Sequence, residues 1–423
     1  MSMEKVVERT NLVKAYKRVC SNRGAPGVDG MKVEMLKSHL KQNWAQIKQA
    51  LLTGSYKPKP VRRIEIPKPS GGIRLLGIPT VLDRFIQQAI LQILTPIFDP
   101  LFSNHSYGFR PRRSAHQAVQ QAQRHINEKK NIVVDIDLEK FFDQVNHDIL
   151  MVEVAKQVKD VRMIKAIRRY LQAGVMINGV SIISEEGTPQ GGPLSPLLAN
   201  IILDNLDKEL EKRNHKFVRY ADDCNIYVAS KRAGERVYQS IKRFVEKKLK
   251  LKVNEAKSAV DSPLRRTFLG FSFYRSSQTN SIKLRVASQA ITRFKEKIRR
   301  ITNRSNAQSM TERICLLKEY ITGWGGYFAK SEDKRLLENL DQWTRRRLRM
   351  CLLKQWKSCK TKLNQLLKHG AKREVAAIVA YSRKKYWRLS NMQSMNYTFN
   401  LRYWKEQGLV SILDIYNKLR MPV

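Results

Sequence analysis

The sequence predicts an α+β fold, in which an antiparallel sheet is backed by helices, followed by a basic and wholly helical C-terminal part. Residues 217–228 contain two short runs of strand-forming side chains around Asp222 and Asp223, which is typical of a β-hairpin with acids at its tip. Residues 132–138 form a buried-type strand that also carries acids. After about residue 288 the strand patterns fade and amphipathic helical spacing dominates.

The acids of these two stretches indicate a metal site. Adjacent carboxylates repel each other unless a cation lies between them, and magnesium prefers oxygen ligands. Asp also caps its own backbone in turns, so the hairpin alone leaves a structural and a metal-binding interpretation open. Alternation along the strand places Asp135 and Asp137 on one face. Carboxylates that converge from a strand and a hairpin are typical of two-metal phosphoryl transfer.

Composition points to a polyanionic partner. The chain has 423 residues and a formal net charge of +43, from 80 basic against 37 acidic residues. Phosphates neutralised by Lys and Arg release counterions, whereas an enzyme of small metabolites needs no such excess. An anionic membrane surface is the alternative, but no separate basic amphipathic helix supports it. The sequence predicts neither a transmembrane helix nor a signal peptide, and its five scattered cysteines predict neither a zinc site nor disulfides.

The elements before the acidic strand follow in order. Residues 1–50 have helical spacing and are interrupted at 24–30 by a loop of three glycines and a proline. Residues 61–68 and 73–79 alternate as a basic hairpin, with Lys68 and Arg74 beside its tip. Without further information, the simplest interpretation of these basic residues is a solvated hairpin at the protein surface. Apolar spacing predicts a helix over 81–98.

Three further helix starts and one basic region are predicted. Helices open at Ser114 or Ala115, near His147, and at Ser195, with Ser195 as N-cap and proline next. Between residues 342 and 405, 17 Lys and Arg stand against one acid, Glu374, with nine aromatic residues interleaved. A run of charged residues usually forms a solvated face. Here, however, the excess of positive side chains would repel one another without a polyanion, which favours RNA binding.

These motifs, in their order and spacing, resemble reverse transcriptases of bacterial group II introns over nearly the whole chain. Tyr-Ala-Asp-Asp at 220–223 resembles the family signature, and residues 137–143 resemble its first catalytic motif. Thr-Pro-Gln-Gly-Gly-Pro-Leu-Ser-Pro at 188–196 resembles the motif that packs on the nascent base pair. Since His369 is the only histidine after His215 and no paired cysteines follow, the compact type without a His/Cys-rich endonuclease domain is expected.

The resemblance implies a right-hand polymerase fold: fingers and a palm, with an antiparallel sheet backed by helices, plus a C-terminal all-α thumb and a small basic helical domain. The expected ranges are an N-terminal extension with a template-contacting loop at 1–60, fingers and palm at 61–287, a thumb (maturase) domain at 288–365, and a basic DNA-binding domain at 366–423.

It also implies the site. The family aromatic that excludes a 2′-hydroxyl stands five residues after the catalytic Asp, which selects Asp137 and Phe142, although Phe142 could be an ordinary core aromatic. The implied catalytic residues are Asp137, Asp222 and Asp223. The implied ligands of two Mg²⁺ ions, for which Mn²⁺ is a possible substitute, are Asp137, Leu138, Asp222 and Asp223. The implied nucleotide-binding residues are Lys68, Arg74, Phe142, Gln190 and Arg110. The implied nucleic-acid contacts are Gly24, Gly27, Gly191, Gly192, Arg345, Arg346, Arg347 and Arg349.

The expected function is that of an RNA-directed DNA polymerase of a group II intron, which extends a DNA primer on an RNA template and binds the intron RNA to assist splicing and mobility. The expected partners are group II intron RNA, an RNA template with its DNA primer, and deoxynucleoside triphosphates. The bacterial cytoplasm, no membrane partner, and a monomer or homodimer are expected. Two alternatives stay open: a domesticated relative in DNA repair or phage defence, and a non-catalytic RNA-binding splicing cofactor. The converging aspartates argue against the non-catalytic splicing cofactor, because such carboxylates repel one another when no metal is bound.

Overall fold

The computed structural model describes residues 2–67, 71–177, 180–182, 187 and 191–420. It divides into two compact units, Met1–Ser262 and Pro263–Val423. The sequence places a boundary after residue 287 instead. The difference arises because Phe271, on a strand, packs its ring against that of Phe328 on a later helix, at 5.1 Å between centroids. Residues 263–287 therefore group with the helices that follow.

Helices of the first unit agree closely with the predicted starts. Thr80 caps one by accepting from the Asp83 N–H, and Ser114 forms a reciprocal capping box with Gln117. Leu194, not Ser195, is the N-cap before Pro196, which corrects the predicted cap by one residue. The helices are α1 (Met3–Val6), α2 (Arg9–Ser21), α3 (Leu36–Leu52), α4 (Val81–Phe98), α5 (Ala115–Asn127), α6 (Phe141–Gln144), α7 (His147–Gln157), α8 (Val161–Gln172), α9 (Ser195–Lys212) and α10 (Lys231–Phe244).

Two four-stranded sheets belong to the first unit. Its strands are β1 (Val61–Pro67), β2 (Ile73–Ile78), β3 (Ile132–Ile136), β4 (Val175–Ile177), β5 (Val180–Ile182), β6 (Lys216–Tyr220), β7 (Asp223–Val228) and β8 (Ala259–Asp261). The order β6-β7-β3-β8 is antiparallel throughout, which confirms the predicted acidic sheet. The order β2-β1-β4-β5 contains a parallel β1–β4 pair, so this second sheet is mixed. The sequence did not predict β4 and β5.

One apolar core holds the first unit together. It takes the buried stripe of α4, including Phe85, and that of α9, including Ile202, together with the inward face of the acidic sheet, including Val134 and Ile226. Burial of side chains of this size stabilises a fold by about 1.5–3 kcal/mol each. The sheet edge that carries the acids is thereby held on a rigid base.

The second unit combines a small sheet with helices. Its strands are β9 (Thr267–Phe268), β10 (Phe271–Arg275) and β11 (Ile282–Val286). Its helices are α11 (Ser288–Ile301), α12 (Met310–Phe328), α13 (Lys334–Gln355), α14 (Cys359–Lys368), α15 (Arg373–Ala380), α16 (Tyr386–Leu389), α17 (Gln393–Thr398), α18 (Leu401–Glu406) and α19 (Ile412–Arg420). Trp356, Phe399 and Trp404 lie in its core. Among the described residues, no helix is both long and apolar enough to cross a membrane.

Candidate active site

The predicted hairpin is present and ends in the two acids. β6 and β7 pair antiparallel with Tyr220 opposite Asp223, so Ala221 and Asp222 form the connecting turn. Ala221 has φ +56°, a left-handed conformation that a non-glycine residue adopts rarely. Asp222 is half-buried and Asp223 is exposed. The turn therefore presents both carboxylates at one end of the sheet.

The acidic strand brings further carboxylates to the same end. β3 pairs antiparallel with β7, with Asp135 opposite Asn225 and Ile136 opposite Cys224. Asp137 follows directly after β3, beside the start of β7. The register thus places the end of one strand next to the hairpin tip, as the sequence predicts.

The charges of these acids act on one another. The pKa of Asp223 is raised to about 7, with loss of hydration the largest cause, followed by the negative charges of Asp222, Asp135 and Asp137. Loss of hydration agrees less well with the structure than the neighbouring charges do, because the side chain of Asp223 is exposed to water. The crowding of carboxylates is therefore the more informative cause.

A lysine that the sequence did not single out lies beside the acids. Lys257 Nζ is 3.5 Å from Asp137 Oδ2, and its charge lowers the pKa of Asp223. Its loop also holds the backbone of Asp137: the Asn254 N–H donates to the Asp137 carbonyl at 2.9 Å, and the Asp137 N–H donates to Ser258 Oγ at 3.0 Å. No periodic pattern marks this loop, so only the tertiary structure identifies it.

The donor set fits a hard divalent cation. Three or more His, Cys, Asp or Glu side chains are nowhere gathered as a ready metal-ligand group in the described part of the chain. The neighbouring carboxylates nevertheless raise the pKa of Asp223, so negative charge is concentrated here. Carboxylate oxygens are the ligands that magnesium prefers. Leu138 is apolar and 5% exposed, so only its backbone carbonyl could serve as a ligand.

A cavity of about 520 Å³ adjoins Phe142. Its walls include Phe109, Arg84, Gly191 and Gly192. Phe142 is half-buried and packs edge-to-face on Phe141, with 5.1 Å between the ring centroids. Phe142 is therefore neither a fully buried core residue nor a free one, and its ring faces a space that could hold a ligand.

Comparisons with known proteins decide the family. Residues 66–273 match the family model of the reverse transcriptase (RNA-dependent DNA polymerase), and residues 291–370 match that of the group II intron, maturase-specific domain. The chain thus contains a region of the reverse transcriptase family followed by a region that matches the maturase-specific domain of group II introns. The second match overlaps the predicted thumb range.

Relatives of this chain include proteins of bacteria. Protein YkfC of Escherichia coli (strain K12) is 38% identical over 208 residues, which are 48% of this chain and 55% of that protein. Group II intron-encoded protein LtrA of Lactococcus lactis subsp. cremoris is 31% identical over 337 residues, which are 64% of this chain and 55% of that protein. The chain spans about half the length of these relatives. A chain of a solved partial Cas6-RT-Cas1–Cas2 complex is 24% identical with a TM-score of 0.38, covering 58% of this chain and 42% of that chain.

Some of the predicted nucleotide-binding residues lie beyond what the structure describes. Lys68 and Gln190 are outside the described residues. Arg74 stands in β2 opposite Ile66, but its side chain is also outside the described part. Their roles stay predictions.

Arg110 has a different role from the predicted contact with nucleotide or template. It is 9% exposed. Its Nε donates to Asp99 Oδ1 at 2.7 Å, and its other nitrogens donate to the carbonyls of Ser103, Ser106 and Asp99. These bonds fold the segment between α4 and α5. The interleaved Arg and aromatic residues did not indicate this internal role, because a basic segment has the same sequence pattern whether its cations contact RNA or backbone carbonyls.

The predicted glycine contacts have a packing explanation. A Cβ on Gly191, at φ +129°, would lie 2.4 Å from the carbonyl oxygen of Gly77 on β2. A Cβ on Gly27 would lie 2.7 Å from the Cα of Thr80. A Cβ on Gly24 would lie 2.1 Å from the side chain of Arg84, and a Cβ on Gly192 would lie 2.5 Å from that of Gln87. The missing side chains thus allow close approach of protein to protein, and contact with nucleic acid stays a proposal.

Three of the four α13 arginines that were predicted to contact nucleic acid bond to other parts of the second unit instead. Arg349 is 5% exposed and donates to the carbonyls of Ser390 and Phe399, so it does not lie at a surface where RNA could bind. Arg346 stacks over the ring of Trp387 at 3.9 Å and donates to its carbonyl. Arg347 donates to Thr302, and burial lowers the pKa of the half-buried Arg345. The density of charge in the sequence did not distinguish such internal arginines from exposed ones.

Proposed function

We propose that this chain is an RNA-directed DNA polymerase that extends a DNA primer on an RNA template with deoxynucleoside triphosphates. The observation that carries the proposal is the meeting of Asp137, Asp222 and Asp223 at one end of the antiparallel sheet, in a chain of the reverse transcriptase family. The effect of Asp222 and Asp137 on the pKa of Asp223 supports it, since carboxylates that repel each other are suited to a shared cation.

Asp137, Asp222, Asp223 and the carbonyl of Leu138 would hold two Mg²⁺ ions, or Mn²⁺ in their place. When bound, such ions stabilise the negative charge that develops on the transferred phosphate. Lys257 keeps Asp137 in position and balances part of the charge of the acids. The carboxylates need no large rearrangement, because the pairing of β3 and β7 already fixes their backbones.

Phe142 would select the sugar of the nucleotide. Its half-buried ring faces the cavity, while its neighbour Phe141 anchors α6 in the core at 2% exposure. A ring fixed in this way excludes a 2′-hydroxyl by contact. Lys68 and Arg74 would bind the triphosphate, for which a guanidinium offers bidentate hydrogen bonds and an ammonium a point charge.

Group II intron RNA is the proposed second partner. The match to the maturase-specific domain at 291–370 and the net charge of +43 support this, and they favour an intron role over a domesticated polymerase. Exposed cations in the second unit, among them Arg383, Lys384 and Lys385, are open to phosphates. Binding there would assist splicing and mobility of the intron in the bacterial cytoplasm.

Primer extension tests the polymerase. The purified chain should extend a DNA primer on an RNA template when Mg²⁺ and all four deoxynucleoside triphosphates are present. Asp222→Asn should abolish extension yet bind the template normally, because binding rests on cations elsewhere. Asp148→Asn makes the same change on an exposed helix and should be fully active. Extension by the Asp222 variant at the unaltered rate would refute the assignment.

A further inference from the structure

The side chain of Arg219 is fully buried directly below the hairpin turn, at 0% exposure. Its Nε donates to Asp207 Oδ1 at 2.7 Å and its Nη2 to Asp207 Oδ2 at 2.5 Å. Its Nη1 donates to Asn200 Oδ1 at 3.0 Å and to the carbonyl of Ala221 at 2.9 Å. One guanidinium therefore joins helix α9 to the peptide that leads into Asp222.

The partners of Arg219 on α9 are themselves fixed. Asp207 is 0% exposed and Asn200 is 1% exposed, on a helix whose apolar stripe lies in the core. Asn200 Nδ2 also donates to the carbonyl of Gly108 at 2.9 Å. The carboxylate and amide thus hold the guanidinium from a rigid helix, in the two-pronged geometry that arginine makes and lysine cannot.

The segment before Arg110 completes the enclosure of the turn. The Tyr107 N–H donates to the Arg219 carbonyl at 2.9 Å, and the Arg219 N–H donates to the His105 carbonyl at 2.9 Å. A Cβ on Gly108 would lie 2.3 Å from the Ala221 nitrogen. The left-handed Ala221 is therefore held from two sides, which is how a strained turn persists at a functional site.

A buried ion pair is a poor device for stability alone. Removing both charges from water offsets most of their attraction, and apolar residues of similar size usually stabilise as well or better. What apolar residues could not supply is the hydrogen bond to the Ala221 carbonyl. That bond sets the direction of the peptide from which Asp222 and Asp223 project.

We propose that Arg219 is a positioning residue, held by Asp207 and Asn200, which orients the 221–222 turn so that Asp222 and Asp223 together bind a divalent cation. The inference rests on the proposed polymerase function. It adds a second layer below the carboxylates, in which the direction of one carbonyl determines cation affinity.

Two variants test the inference by different routes. Arg219→Lys keeps the charge but has only three N–H donors and no planar fork, so it cannot reproduce the four hydrogen bonds to Asp207, Asn200 and Ala221. Gly108→Ala removes no polar group and instead displaces the Ala221 peptide. Each should raise the Mg²⁺ concentration for half-maximal primer extension about tenfold, weaken Mn²⁺ binding measured by electron paramagnetic resonance, and speed amide exchange in residues 217–228. The Michaelis constant for the nucleotide at saturating Mg²⁺ should change little.

Arg313→Lys is the matched control. Arg313 is 2% exposed and donates to four backbone carbonyls in the second unit, so its replacement destabilises the protein without touching the turn. It should leave Mn²⁺ binding unchanged. If both test variants bind Mn²⁺ as the unaltered chain does, Arg219 is only structural and the inference falls. If the unaltered chain binds Mn²⁺ but extends no primer, the polymerase proposal falls separately. Should Arg219→Lys not fold, Gly108→Ala decides.

Discussion

Lys257 Nζ lies 3.5 Å from Asp137 Oδ2, at the end of the sheet where the carboxylates meet. This ion pair is partly open to water, with side-chain exposures of 61% and 24%, so it contributes little to stability. Its effect is electrostatic and local, because it reduces the repulsion among the acids while no divalent cation is bound. The remaining repulsion makes the charge state of Asp223 sensitive to its neighbours.

Asp223 should make the metal-free protein less stable as the pH rises. Its pKa is raised to about 7, whereas an aspartate of an unfolded chain titrates near ~4. A carboxyl whose pKa is raised by folding stabilises the fold fully below about pH 4, and that contribution is lost as the pH rises through about 7. Asp223→Asn should remove this decline.

Urea unfolding in the presence of a chelator, at about pH 5 and about pH 8, measures the effect. The gain in stability of the Asn variant over the unaltered chain should be clearly larger at the higher pH, because the decline begins near pH ~4 and is complete only above about pH 7. Asp148→Asn, an exposed acid paired with Arg168, should not change the pH dependence. An equal decline in the Asp223 variant and the unaltered chain would show that the acids do not crowd this carboxyl.

Phe142→Ala should admit ribonucleotides. The half-buried ring faces the cavity, and its loss leaves room for a 2′-hydroxyl. The efficiency with ribonucleotides relative to deoxyribonucleotides should rise about tenfold or more, which corresponds to about 1.4 kcal/mol of lost discrimination. Steady-state kinetics with both sugars measures it.

Val154→Ala is the control for this change, because Val154 on α7 is buried in the same core and should affect stability without affecting sugar choice. An unchanged preference in Phe142→Ala would show that Phe142 only packs α6 against the core.

Arg110→Ala should destabilise the first unit without a specific defect in nucleotide use. Removing this side chain takes a donor from the Asp99 carboxylate and from three carbonyl oxygens, which costs on the order of 3 kcal/mol. A lower thermal midpoint, together with an unchanged Michaelis constant for the nucleotide at permissive temperature, is the expected pair of results. A large rise of that constant in a stable variant would restore the predicted nucleotide contact.

The sequence predicted what depends on local pattern and failed where contacts are distant. The hairpin, the acidic strand and helix α4 follow from alternation and helical spacing. Lys257, Arg219 and the internal role of Arg349 do not, because no local pattern tells whether a cation faces solvent, a carbonyl or a distant carboxylate. The mixed second sheet was missed for a similar reason, since β4 is only three residues long and its parallel pairing with β1 is non-local.

The last prediction concerns RNA. The basic turn, which we define as Arg383, Lys384 and Lys385, lies between α15 and α16 with all three side chains exposed. Tyr381 beside it is 63% exposed and offers a ring for base stacking. Changing the three cations to Gln should weaken binding to intron RNA and lower the salt slope of the affinity by about 2, since each lost phosphate contact contributes ~0.7.

The matched control neutralises three exposed cations that already have acid partners, Lys156, Arg168 and Arg402. It changes the net charge equally, so it separates a local contact from the general field of the protein. The assay is splicing, at low magnesium, of the RNA transcribed from the DNA that flanks this gene. The unaltered chain, the control and Asp222→Asn should accelerate splicing alike, because the intron RNA supplies that chemistry, whereas the basic-turn variant should not. If the control is as defective as the basic-turn variant, only net charge matters and the basic turn is not a contact. If the unaltered chain gives no acceleration, the intron role itself fails and a domesticated polymerase takes its place.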